Sequence, residues 1–228
     1  MSINYLEKSI RSWWGQLLLS IVIVLVVFWP FLSGQKVIYG DATFFQVPYF
    51  SFYKNAITNG DSILWNPYNA GGFPVFADLA GFFFPLHYIF LLFFSAVQAF
   101  NWLLFLASVS ALFFMIRFLR GLNVGVAGSL LGGLSLIISE IVSLINVTST
   151  AYSVALLPLL FLIVLRLSQQ SRTWLYVLLG GLSIGLAWLS ALPHYVLWIL
   201  LSGFAFTLYL AFKESNKKLI LWFVLMNL

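Results

Sequence analysis

The feature that most constrains this chain is the return, again and again, of apolar runs about as long as a bilayer's hydrocarbon core is thick. The first, WWGQLLLSIVIVLVVFWPFLS over 13–33, contains no charge. Roughly 20 apolar residues carry a helix across hydrocarbon. In lipid every backbone polar group must bond internally, which leaves helices or closed barrels. Barrel strands are about ten residues long and alternate in polarity, so these runs read as helices. Further runs cover 99–118, 124–145, 152–167, 174–192 and 195–212, and another begins at 219. The expected class is an all-α polytopic membrane protein. A soluble helical bundle, the alternative, fits poorly with 7% charged residues, where soluble domains have about a quarter. The first run is longer than the apolar core of a signal peptide and lacks a small-x-small cleavage motif, so it is expected to be retained as a helix. The run from 219 is half a span by Leu228. We therefore expect the N-terminal portion of a longer chain, or a last helix lying on the membrane surface.

Orientation follows from the positive residues. With a cytoplasmic N-terminus and alternating spans, Lys8, Arg11, Arg117, Arg120, Arg166, Arg172, Lys213, Lys217 and Lys218 fall inside, against Lys36 and Lys54 outside. The net charge of +5 is thus distributed by topology and forms no basic stripe for nucleic acid. One apolar stretch is set aside in this count: FFFPLHYIFLLFFS, 82–95, is short and contains Pro85. It reads as a re-entrant or interfacial segment on the outer face. Its rival, a true span, would reverse every later helix and put Arg117 and Arg120 outside.

The long polar stretch then lies outside, at 34–81, and gathers Asp41, Asp61 and Asp78, three of the six acidic residues. Within it, Tyr49, Phe52, Tyr53 and Ile57 recur at helical spacing after Pro48 and stop at Gly60, as in a short interfacial helix with its rings against headgroups. WNPYNAGGFP, 65–74, reads as irregular backbone in which Gly71 and Gly72 allow positive φ or close approach of a ligand, or simply turn the chain. A nest of main-chain N–H groups there would suit an anion. Gln46, Trp65, Asn66, Tyr68, Gly71, Gly72 and His87 are the candidate substrate-binding residues. Asp41 follows the first helix closely enough to be held at the surface, where a carboxylate can take a proton from a hydroxyl or hold a divalent cation. Asp78 lies before the re-entrant segment, Glu140 near the end of its span, and His194 at the turn after Pro193. These three are candidates from placement, each with an ordinary loop or capping role as its alternative. Asp61, beside Asn59-Gly60, reads as a solvated turn residue. Carboxylates suit Mg²⁺ or Mn²⁺, with Asp41 the candidate ligand, whereas two histidines and no cysteine suit zinc poorly. The GSLLGGLS (128–135) and GGLSIG (180–185) segments lack a phosphate-loop lysine and read as helix-packing surfaces.

GDATFFQVPYFSF (40–52), NGDSILWNPYNAGGFPVFADLAGFFFPLHYIF (59–90) and ALPHYVL (191–197) together resemble the YfhO-like bacterial membrane proteins. That family belongs to the polytopic, GT-C-like glycosyltransferases. The resemblance implies a GT-C-like transmembrane bundle in the bacterial cytoplasmic membrane, with the acidic residue of the first external loop, here Asp41, catalytic or metal-associated. It also implies transfer of a sugar from a polyprenyl-phosphate donor to an envelope polymer or glycolipid on the outer face. The short cytoplasmic connections leave little room for a nucleotide site, as a lipid-linked donor would permit. The alternatives are a transporter or flippase, and a non-catalytic subunit in envelope assembly.

Overall fold

The computed structural model describes residues 12–35, 42–68, 71–75, 85–144, 148–169, 173–190 and 192–228. The first helix, α1 (Trp13–Leu32), is capped by Ser12, whose side chain accepts from the Gly15 N–H at 3.0 Å. It buries a single seam, Gln16, Ser20, Val24 and Phe28, spaced four apart, and leaves Leu18, Val22 and Val26 exposed. A π-helical turn (Ala42–Gln46) runs into α2 (Val47–Asn59), which ends on Gly60 at φ 75°, a left-handed cap open to glycine. A two-residue antiparallel pair, β1 (Trp65–Asn66) with β2 (Phe73–Pro74), follows, then α3 (Pro85–Phe93). The rest is helical: α4 (Ala96–Gly121), α5 (Val126–Leu144), α6 (Thr148–Gln169), α7 (Thr173–Ser190), α8 (Pro193–Lys213) and α9 (Lys218–Met226). Among the described residues, five helices are long and apolar enough to cross a membrane.

Two packed clusters form the interior. One joins α1, α2, α3, α4 as far as Ile116, Ile137 of α5 and the start of α6 around Phe50, Phe100 and Leu103; the other joins the end of α4 to the rest of α6, α7, α8 and α9 around Leu160, Val164 and Phe223. Phe118, Phe161 and Phe206, from α4, α6 and α8, meet with ring centroids 5.3–5.4 Å apart. With Leu165 beside Gly121 and Ser168 donating to Glu214 at 3.2 Å, the C-termini of these three helices lie together.

At the opposite end, the Asn101 amide donates to the Phe31 carbonyl at 3.0 Å, joining the end of α1 to the start of α4. The chain from the end of α1 to the start of α4 therefore leaves and regains the same end of the bundle. The described part of α3 covers nine residues, about 14 Å.

Two expectations need correction. The rings of α2 do not face headgroups: Tyr49, Phe52 and Tyr53 are buried against the protein, with Phe50 beside them. A stripe of aromatics at helical spacing serves either a lipid surface or a protein neighbour, and here α3 and α4 supply the neighbour. Nor is 65–74 irregular throughout, because Trp65 pairs with Pro74 and Asn66 with Phe73.

The packing role of the glycines holds at Gly132 and Gly133, where an added Cβ would come within 2.5 Å of Leu119 and 2.6 Å of Leu112 respectively. It holds at Gly180, set against Met226, whereas Gly185 faces open space. Gly133→Leu should therefore lower thermal stability in detergent by about 1–3 kcal/mol, the usual cost of overpacking, while Gly185→Leu should leave it unchanged. Equal melting temperatures for the two variants would contradict the α4–α5 contact.

Candidate functional site

At the loop end of the bundle a groove of about 610 Å³ runs between the π-helical turn, α2 and the β1–β2 pair. The π-turn supplies Phe44 and Phe45; single π-turns recur at functional sites because the widened ring redirects side chains. Pro48, Tyr49, Ser51, Phe52 and Asn55 form the α2 wall, and Asn66 and Tyr68 the far side. Phe44 is 75% exposed and Tyr68 85%, so aromatic faces stand open at the rim.

The far wall is held by local chemistry. Asn66, buried, accepts the Tyr68 N–H on its side-chain oxygen at 3.0 Å, an Asx turn around Pro67. The Tyr68 ring meets Phe52 edge-on at 6.4 Å, tying the turn to α2. Behind it the hairpin closes: Val75 N–H donates to the Leu64 carbonyl at 2.9 Å. Gly72, at φ 118°, lies under the Trp65 indole, where an added Cβ would fall 2.5 Å from a ring carbon. Glycine is required there both for backbone conformation and for the close approach. Gly71 has φ 79° with open space around it.

The α2 wall is held from beneath. Phe50, fully buried, packs on His87 at 4.7 Å and edge-on against Phe100 at 6.0 Å. His87 in turn lies 5.8 Å from Tyr152 at the start of α6. Lys54 donates to the Leu91 carbonyl at 2.6 Å, satisfying one of the exposed carbonyls in the last turn of α3. Tyr53 and Tyr88 meet edge-on at 5.2 Å, and burial raises the Tyr88 phenol above its ordinary pKa, with a hydrogen bond to Tyr53 acting the other way.

Of the residues singled out from sequence, Asn66 and Tyr68 line the groove. Trp65, Gly71 and Gly72 belong to the hairpin behind it. Gln46 and His87 are fully buried in its support. His194 is at the loop end too, since α8 begins there, but it is exposed and lies against Tyr195 at 4.2 Å. Asp41 and Asp78 lie outside the described residues, as does the side chain of Glu140, whose backbone is in α5. Asp61 is exposed just past the Gly60 cap.

The described lining is uncharged, and no group of three His, Asp or Glu side chains stands together among the described residues. They do not by themselves make a seat for Mg²⁺ or Mn²⁺. What the lining offers is aromatic surface with a few amide and hydroxyl groups, the usual balance of a small-molecule site. Sequence reasoning missed Phe44, Phe45, Ser51 and Asn55. The adjacent pair of phenylalanines, Phe44-Phe45, just ahead of the predicted helix was the signal. No family model, curated protein or solved structure matches the chain.

Proposed function

We propose that this chain transfers a sugar from a polyprenyl-phosphate donor to an envelope polymer or glycolipid, at the outer face of a bacterial cytoplasmic membrane, as its resemblance to the YfhO-like, GT-C-like proteins implies. The observation that carries the reading is the groove: the loop returns to the bundle end from which it leaves and builds there an open, aromatic-walled cleft. The cationic helix ends lie at the far side of the bundle, and the tendency of positive residues to remain in the cytoplasm supports an outward-facing groove. Aromatic faces suit the apolar C–H face of a sugar ring, and Asn66 and Asn55 suit its hydroxyls. Asp41 is covalently joined to Ala42, the first residue of the π-turn.

In the reaction the acceptor oxygen gives its proton to the Asp41 carboxylate and bonds to the anomeric carbon. The bond from that carbon to the phosphate oxygen breaks, and polyprenyl phosphate leaves with the electron pair. No step is assigned to a cation.

The test is purified protein in liposomes, given polyprenyl-phosphate donors carrying labelled sugars together with envelope glycolipid acceptor. The expected result is labelled acceptor and an equal amount of polyprenyl phosphate. Movement of intact donor between leaflets with no covalent product would replace transfer with transport, and neither outcome would leave an assembly subunit.

A further inference from the structure

The bundle end away from the groove collects cations. Arg117 and Arg120 share one face of the last turns of α4, Arg166 stands in the last turns of α6, and Lys213, Lys217 and Lys218 surround the start of α9. Their arrangement is fixed by the contacts that align the helix C-termini: Phe118 on Phe161, Leu165 beside Gly121, and Ser168 on Glu214. Helix C-termini favour positive charge, which explains cations here in general but not the placing of two of them side by side.

Arg117 adjoins Phe118, whose ring packs on Phe161, and Arg166 adjoins Leu165, which lies beside Gly121, so two half-buried arginines stand at one junction of α4 and α6, where like charges repel. Their neighbours do not relieve this. Arg120 donates to the Val124 carbonyl at 2.8 Å, closing the α4–α5 turn, and Glu214 accepts from Ser168. Among the described residues neither Arg117 nor Arg166 has a carboxylate partner. Two like charges held together away from full solvation destabilise a fold unless an anion joins them. Guanidinium groups, weakly hydrated and forked, match phosphate oxygens two at a time.

We propose that Arg117 and Arg166 together bind a phosphate oxyanion, supplied by the headgroup of an anionic phospholipid in the adjoining leaflet. Depth favours the lipid source. α4 has 26 residues, about 39 Å, against about 30 Å of hydrocarbon, so its last turn emerges at headgroup level. The site is independent of sugar transfer and lies at the opposite membrane face.

The experiment reads thermal unfolding of the protein in nanodiscs of phosphatidylcholine alone, of phosphatidylcholine with phosphatidylglycerol, and of phosphatidylcholine with inorganic phosphate added. The anionic lipid should raise the unfolding temperature saturably, and R117Q or R166Q should each weaken the apparent lipid affinity by about tenfold, the loss of one charge-assisted pair. K217Q/K218Q, which removes two charges from the exposed rim where each Arg variant removes one, should retain the affinity. If a Gln variant does not accumulate, R117K/R166K keeps the charge that sets topology but removes the fork, and should also bind more weakly. Equal losses from the Lys and Arg pairs, or none from the Arg pair, would overturn the site in favour of diffuse attraction. Saturable stabilisation by inorganic phosphate in the neutral disc, lost in the Arg variants, would overturn the lipid source while retaining the oxyanion chemistry.

Discussion

Replacing Asp41 with Asn should lower sugar transfer by about 10²–10⁴-fold, the range a positioned general base contributes, while expression and membrane insertion stay level. The exchange conserves size and removes the capacity to accept a proton, so it separates chemistry from packing. Asp41 precedes the π-turn whose Phe44 and Phe45 wall the groove. Asp61→Asn is the matched control: its residue is exposed beyond the Gly60 cap, its backbone N–H donates to the Ala56 carbonyl at 2.8 Å, and its side chain lies outside the groove lining. It should transfer at the parent rate. Full activity in Asp41→Asn at equal protein level would remove the base from the scheme, and equal losses in both variants would point to a general effect of loop charge.

The second large effect is structural. Phe50→Ala should destabilise the loop end by about 3–5 kcal/mol, the range for emptying a buried aromatic site. The ring is fully buried and touches both α3, through His87, and α4, through Phe100. Its loss leaves a cavity where three elements meet, and the α2 wall of the groove would separate from its support. Protease cutting within 42–68 should then accelerate sharply, with the spans intact. Phe44→Ala removes the same side chain from a position 75% exposed and should leave cleavage unchanged. If both variants are cut at the same rate, α2 is not anchored through Phe50.

The long helices were legible because crossing hydrocarbon imposes length and apolarity together. The expected 13–33, 99–118, 174–192 and 195–212 differ from α1, α4, α7 and α8 by at most three residues at either end. Hydropathy ends where charge or hydroxyls begin, but a helix does not: α4 gains a turn from the Ser95–Gln98 capping box, with N–H to side-chain bonds of 3.3 and 3.4 Å, and α6 starts back at Thr148. Pro85, read as interrupting an apolar stretch, is helical and is the first described residue of α3.

The loop was harder for a physical reason. Its aromatic period gave α2 but not the direction the rings face, because a lipid surface and a protein neighbour reward the same stripe. The hairpin has only two residues in each strand, too few for an alternating pattern to register, and its closure depends on the fit of Trp65 over Gly72, which spacing does not encode. Asn66 and Tyr68 were identifiable because Asn-Pro-Tyr specifies a turn. The walls at Ser51 and Asn55 were not, since they acquire meaning only once α2 is placed.

The α4 helix passes from one apolar cluster to the other between Ile116 and Phe118. One continuous helix thus belongs to both clusters, so a displacement of its N-terminal half is carried mechanically to the end that packs against α6 and α8.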